Sequence, residues 1–275
     1  MSRHVYGLAA CPWRLYYTRY HTEAAISTSL SAGRRSGASR SATRHPRIPD
    51  QGIWLRGITV AAMANVAYGP RWRETGRVDV TDLDADPLRQ LSAWLDAARA
   101  AGQPMPESMT IASATSDAVP SARLVVLRGL RRGLVFFTDC ESDKGTELAD
   151  NPRAAAVLHW LVPAHRQVRV AGPVERVGED EADEYWRARA PAVRLSAAAS
   201  HQSRVAASRA VLEAQVRGLL RRYPGGADVP RPRRWGGFRV LPSRVEFWQE
   251  SPDGLHDRIR YRQASSGWII ERLSP

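Results

Sequence analysis

Residues 122–138 read ARLVVLRGLRRGLVFFT. Two runs of β-branched and aromatic residues, 122–127 and 134–138, flank a short turn of Gly and Arg. That pattern predicts two strands joined as a hairpin. Working outward, 109–114 and then 154–161 and 167–177 read as further strands, and 144–151 as a short helix stopped by Pro152. Upstream, Asp86 is an N-cap ahead of a first-turn proline, Pro87. Leu88, Leu91, Trp94, Leu95 and Ala98 follow at helical spacing, and Gly102 ends that helix. Downstream, 179–189 and 205–223 read as helices, the second with Val211, Leu212, Val216, Leu219 and Leu220 on one side. Strands return at 237–241, 244–248, 258–263 and 268–273. Strand and helix do not alternate as βαβ units. The expectation is a mainly β fold with α: an antiparallel barrel with helices packed outside.

The net charge of +12 invites a nucleic-acid reading, but its distribution argues against one. Residues 1–62 hold nine arginines against Glu23 and Asp50, which leaves +5 for residues 63–275. Residues 27–47, rich in Ser, Arg, Gly and Ala, show no hydrophobic period. The expected organisation is a disordered leader at 1–62, either a transit peptide or an overlong start ahead of Met63, and one domain at 63–275. No apolar run reaches the ~18 residues of a membrane span. Two distant cysteines, Cys11 and Cys140, make neither a disulfide framework nor a metal site, and a reducing cytoplasm is the simplest setting.

GxGxxG, GxxxxGK[ST], HExxH, CxxC and GxSxG are all absent. The histidines, His4, His21, His45, His159, His165, His201 and His256, lack metal-ligand spacing, so no metal is expected. Three stretches place polar groups beside strand-like runs. The first joins Arg123 and Arg128 to Phe137, Thr138 and the chain's one lysine, Lys144, near a helix start. Such a set can grip a phosphate, although a lone lysine is by default a solvated charge. The second is 165–168, HRQV, where Gln167 can hydrogen-bond the polar edge of a flavin ring or serve as an ordinary edge-strand residue. The third runs from 245 to 261, with Trp248, His256, Asp257, Arg258 and Tyr261. A tryptophan beside His, Asp and Arg can form a proton-handling or phosphate-binding cluster, or simply a core ring beside a salt-bridged turn.

Together these stretches resemble the pyridoxamine 5′-phosphate oxidase family. The resemblance rests on VEFWQESPDGLHDRIRY at 245–261, WGGFRV at 235–240, ERLSP at 271–275, SARLVVLR, VFFTD, Asp150-Asn151-Pro152, RQVRVAG and Ser200-His201-Gln202-Ser203. These occur in order from about residue 80 to the end. The resemblance implies a split β-barrel homodimer with FMN between the subunits. By resemblance, Arg123, Leu124, Val125, Val126, Leu127 and Arg128, with Lys144, hold the FMN phosphate and ribityl chain. Phe137 and Thr138 match a Tyr-Thr pair lining the flavin, and Gln167, Gln202, Ser203, Trp248 and Arg258 match other FMN contacts. Arg128, Tyr185, Arg189 and His256 match substrate-binding positions, with His256 the candidate catalytic residue. The implied reaction oxidises pyridoxine or pyridoxamine 5′-phosphate to pyridoxal 5′-phosphate with O2, with no nucleic-acid or membrane partner.

The sequence departs from the family in four places. Arg128 replaces a lysine, Asp143 replaces a basic residue and is expected either to point away from the phosphate or to leave FMN less tightly held, and Val193 replaces a serine near the substrate phosphate. Gly254 stands where the family has an arginine that covers the substrate ring. Two alternatives stay open: a related flavin oxidase acting on another aromatic ring, as in phenazine biosynthesis, and a non-catalytic barrel that binds flavin or B6 phosphate.

Overall fold

A computed structural model describes residues 76–226 and 228–275. The expected leader and the first part of the 63–275 domain lie outside the described residues. The chain order is α1 (Pro87–Ala100), β1 (Ser108–Ala114), β2 (Pro120–Val126), β3 (Leu134–Asp139), α2 (Asp143–Asp150), β4 (Arg153–Trp160) and β5 (Arg166–Arg176). It continues through α3 (Glu179–Ala188), α4 (Pro191–Ala199), α5 (Arg209–Arg222), β6 (Trp235–Val240), β7 (Arg244–Gln249), β8 (Asp257–Ala264) and β9 (Gly267–Arg272).

The sheet is antiparallel throughout, in the order β2-β1-β4-β5-β7-β8-β9, with β3 and β6 as a side pair. β5 belongs to both parts. Its first half pairs β7 from Arg166↔Gln249 to Ala171↔Arg244, and its end pairs β6 from Val174↔Val240 to Arg176↔Phe238. Gly172 sits at the switch, where a Cβ would lie 1.8 Å from Leu241 O. Only a glycine lets the two partner strands approach that closely. This switch closes the sheet into a split barrel.

One expectation needs correction here. The runs at 122–127 and 134–138 are both strands, but they are not a regular hairpin. β2 pairs β1 and β3 pairs β6, and only an isolated bridge, Gly129↔Val135, joins the two. Each strand therefore takes its partner from elsewhere in the chain, and neither pairs the other along its length. Helix α1 forms as expected, with Asp86 Oδ1 accepting from Leu88 N–H at 2.8 Å. It lays Leu91, Trp94, Leu95 and Ala98 onto the barrel, with Trp94 edge-on to Phe247 at 5.1 Å. Leu91 and Leu95 each contribute about 1.5–3 kcal/mol through burial. At the same end, Tyr261 donates its hydroxyl to Asp84 O at 2.7 Å, and burial pushes its pKa up to about 12.

The helical region differs from expectation. The helix expected over 205–223 starts later, at Arg209, where Ser208 Oγ accepts from Val211 N–H, and Val205 is fully exposed. An additional helix, α4, begins with Pro191 in its first turn. Of the expected apolar side of α5, Val216 and Leu219 pack on a second cluster formed by Trp186, Leu195, Val229 and Trp235, while Val211, Leu212 and Leu220 are exposed.

Candidate functional site

A cavity of about 650 Å³ opens between β2, the end of β3, the start of α2, and helices α3 and α4. That size suits a cofactor or small molecule. Arg123, Leu124, Val125, Val126 and Arg128 line it from β2 and the residues that follow, and Phe137 and Thr138 from β3. Lys144 comes from α2, Tyr185 and Arg189 from α3 and its end, and Gln202 and Ser203 from the loop after α4. Leu127 does not line the cavity. The chain turns after β2, Leu127 N–H bonds to Glu107 O at 2.9 Å, and the side chain enters the core.

The cations are held in different ways. Lys144 is buried, and its ammonium donates to Gln202 Oε1 at 2.7 Å, Ser142 Oγ at 3.2 Å and Thr138 Oγ1 at 3.3 Å. Burial, then the nearby Arg123 guanidinium, hold its pKa below the ordinary 10.5. Arg123 is clamped by Glu147 at 3.1 Å and by Ser113 Oγ and Ser121 Oγ, each at 2.5 Å. Burial raises the Glu147 pKa, but hydrogen bonds from Ser113, Ser121 and Arg123 outweigh it and keep the carboxyl below its usual value. Arg128 and Arg189 form no ion pair among the described residues. Arg189 stacks 4.7 Å from the Trp235 ring centre, and its Nε is buried without a hydrogen-bond partner. Burial is the main reason its pKa falls below the ordinary 12.5, with Tyr185 opposing and Arg128 adding to the shift. A buried donor left without a partner in a cation-rich cavity is a place for an anion.

The opposite wall is aromatic. Phe137 stacks on Tyr185 with centroids 4.0 Å apart and planes 7° from parallel, and on Trp235 at 5.5 Å and 4°. Arg128 sits 5.7 Å from the Tyr185 ring centre. Ser203, at the rim, has a positive φ of 69°, which a non-glycine residue adopts at a cost. Its Oγ accepts from Asp143 N–H at 3.3 Å and so caps a helix whose own N-cap, Ser142, makes no capping bond. Asp143 is exposed and among the residues lining the cavity. The other acid there, Asp139, is taken up by Arg234 at 3.0 Å and by Glu141 N–H at 2.9 Å.

Gln167, Trp248, His256 and Arg258 are brought together elsewhere, and none lines the cavity. Gln167, Trp248 and Arg258 are cross-strand partners in one row on β5, β7 and β8, so they share a face of the sheet. His256 packs against Trp248 at 5.0 Å, and its Nδ1 accepts from Ser251 N–H at 3.1 Å. In the neutral ring that bond leaves the proton on Nε2. Arg258 is engaged by Glu246 at 3.0 Å and Ser274 O at 2.9 Å.

Sequence reasoning did not single out Trp235 as a wall residue, nor Glu147 as the clamp on Arg123. Trp235 lay within the WGGFRV motif, so a signal existed. Glu147 carried none, because its role depends on α2 packing beside β1 and β2. Among the described residues, no helix is long and apolar enough to cross a membrane.

Comparison with known proteins fits this geometry. Residues 95–221 match the pyridoxamine 5′-phosphate oxidase family model, and residues 235–275 match the pyridoxine 5′-phosphate oxidase C-terminal dimerisation region. A pyridoxine/pyridoxamine 5′-phosphate oxidase from Cupriavidus pinatubonensis is 46% identical over 202 residues, 73% of this chain and 94% of its own. One from Salinibacter ruber is 46% identical over 205 residues, 74% of this chain and 94% of its own. Among solved structures, PhzG from Burkholderia lata 383, in complex with tetrahydrophenazine-1-carboxylic acid, aligns with a TM-score of 0.67 and 33% identity, covering 73% of this chain and 100% of that one. The split barrel, the cation-rich cavity and these matches agree, and the chain belongs to the pyridoxamine 5′-phosphate oxidase family.

Proposed function

We propose that the protein is an FMN-dependent oxidase, acting as a cytoplasmic homodimer, that converts pyridoxine or pyridoxamine 5′-phosphate to pyridoxal 5′-phosphate with O2 as electron acceptor. The observation that carries this reading is the cavity itself. It sets four cations, Arg123, Arg128, Lys144 and Arg189, beside three parallel rings, and among the described residues only Arg123 of the four has a carboxylate partner. A phosphorylated planar ligand matches both walls.

Arg123 and Lys144, with Thr138, Gln202 and Ser203, are the groups that would hold FMN. When bound, FMN supplies the hydride acceptor and the route for electrons to O2. Arg128, Tyr185 and Arg189 are the groups that would take the substrate phosphate. The row of Gln167, Trp248 and Arg258, with His256, would complete the site from a second subunit. Two observations support that arrangement. The row lines no part of its own cavity, and the dimerisation-region match at 235–275 contains Trp248, His256 and Arg258. The Ser251 bond leaves His256 Nε2–H free to donate to a substrate oxygen.

A second reading has its own support. Gly254 offers no side chain to cover a substrate ring, Val193 offers no hydroxyl, and PhzG is 33% identical. Under that reading the substrate is a reduced phenazine carboxylate. The test is anaerobic addition of each candidate to the FMN-loaded protein while following flavin absorbance. Bleaching by pyridoxine 5′-phosphate that reverses in air supports the first reading. Bleaching by the reduced phenazine alone selects the second, and an unchanged spectrum with both removes the oxidase assignment.

A further inference from the structure

Resting on the oxidase reading above, in which Tyr185 and Arg189 take the substrate phosphate, we propose that Arg231 is a positioning residue: it ties helix α3 to the backbone of Trp235 and so sets the substrate side of the cavity. Tyr185 lies on α3 and Arg189 directly follows it. Both meet Trp235. The Tyr185 ring is 5.9 Å from the Trp235 ring with planes 4° apart, and the Arg189 guanidinium is 4.7 Å from the Trp235 ring centre. Arg231 reaches the helix and the tryptophan together. Its Nε donates to Asp183 Oδ1 at 2.5 Å, Nη2 donates to Glu179, and Nη1 donates to Trp235 O at 2.6 Å.

The need for such a tie comes from the helix itself. Only Ala182 and Trp186 of α3 are buried. In a helix of 3.6 residues per turn those two form a single stripe, with Glu179 and Asp183 along one edge of it and Glu181 and Tyr185 along the other. A helix seated on one narrow stripe can roll about its axis, and a roll would carry Tyr185 out of its stack with Phe137 and Trp235. Trp186 Nε1 donates to Val229 O at 2.9 Å and fixes one point. Arg239 holds the Glu181 edge at 2.7 Å, and Arg231 holds the edge of Glu179 and Asp183. A rigid guanidinium fork can serve three fixed acceptors at once, which an ammonium on a flexible stem does less well. The Arg231 side chain is 11% exposed, whereas those of Glu179 and Asp183 are 73% and 49% exposed. Ion pairs to carboxylates that open to water add little stability, so the weight of Arg231 falls on geometry.

The experiment compares the full-length, flavin-loaded parent with Arg231→Met, Arg231→Lys and Asp183→Asn. Oxidation of pyridoxine 5′-phosphate gives kcat and KM, and near-ultraviolet circular dichroism reads the stack of Tyr185 and Trp235 with no substrate present. Arg231→Met should lower kcat/KM about 10–100-fold, the cost of an ångström-scale misplacement. The loss should lie in KM, with kcat and FMN affinity near the parent values and the dichroism of the stack weakened. Asp183→Asn should act in the same direction, and in the Arg231→Met background it should add nothing further, because its partner is already gone. Arg231→Lys keeps the charge without the fork and should recover part of the KM loss. A parent-like KM and spectrum in Arg231→Met overturn the proposal. So does a joint fall of kcat, FMN affinity and melting temperature, which marks a general folding defect. A parent that leaves pyridoxine 5′-phosphate unoxidised counts against the oxidase reading alone, and the spectrum then decides the role of Arg231.

Discussion

The ammonium of Lys144 lies 2.7 Å from Oε1 of Gln202, a bond that ties the first turn of α2 to the loop after α4 across 58 positions of sequence. Both ends of that bond line the cavity, so a single lysine serves the loop closure and the cation set together.

Replacing Lys144 by Ala should weaken FMN binding by about 1.5–3 kcal/mol, the usual value of a charged hydrogen bond. The pH dependence has a definite sign. Anion binding needs the protonated amine, and burial lowers its pKa. FMN affinity should therefore be full below that lowered pKa and decline as pH rises through it, before 10.5 is reached. Lys144→Arg should flatten the decline. FMN fluorescence titrations across alkaline pH give the answer, and identical profiles for the parent and Lys144→Arg would remove the lysine from the site.

Arg189→Met should raise KM for a phosphorylated substrate roughly 10–150-fold, matching a lost charged contact of about 1.5–3 kcal/mol. Stability should change little. The stack on Trp235 is lost, but so is a buried guanidinium with an unpaired Nε. Steady-state kinetics and a thermal melt together separate this from a folding defect, which would lower the melting temperature by more than about 4 °C.

Gly254→Arg restores a side chain at the position where the family carries its ring-covering arginine. No heavy atom lies within 4 Å of the added Cβ, but φ is +77°. The substitution should cost about 1–2 kcal/mol of stability through the left-handed backbone. It should also raise kcat/KM for pyridoxine 5′-phosphate. Failure to raise it would show that this loop does not reach the substrate.

Mixing Lys144→Ala subunits with Arg258→Ala subunits tests whether the site is shared. In a heterodimer of the two, one site carries both changes and the other carries neither. Random reassortment should therefore restore about a quarter of the parent activity from two weakened proteins. A mixture no more active than the average of its parts would confine each site to one chain.

A chain shortened to residues 63–275 should fold and retain flavin as the full chain does, since among the described residues the main core runs from Val78 to Tyr261. Circular dichroism and flavin content measure this directly. Loss of either would give residues 1–62 a structural role.

Much of the fold was legible in the sequence because strands of this kind announce themselves locally. β1 and β4 to β9 stand where apolar runs bounded by turn residues placed them, and Asp86-Pro87 marked the start of α1. The false hairpin shows the limit. Residues 122–138 look like two neighbours across a turn, yet β3 is paired by β6, whose partner for Phe136 is Phe238, about a hundred positions later. No local signal encodes that choice. Helix α4 was missed because Pro191 reads as a break and the residues after it are mostly small.

By itself the sequence determined the antiparallel character of the barrel, the basic residues of the cavity with Phe137 and Tyr185 but not Trp235, and the family. The strands follow from residue type and spacing along the chain, and the site residues Tyr185 and Arg189 from the resemblance that the ordered motifs carry. Only the tertiary structure decided which of those residues meet. It brought Lys144 to Gln202 and clamped Arg123 with Glu147. It set Gln167, Trp248 and Arg258 in a row away from the cavity. The reason is register. A strand places alternate side chains on opposite faces, so which residues become neighbours depends on how distant strands align, and that alignment is fixed by the packing of the whole barrel.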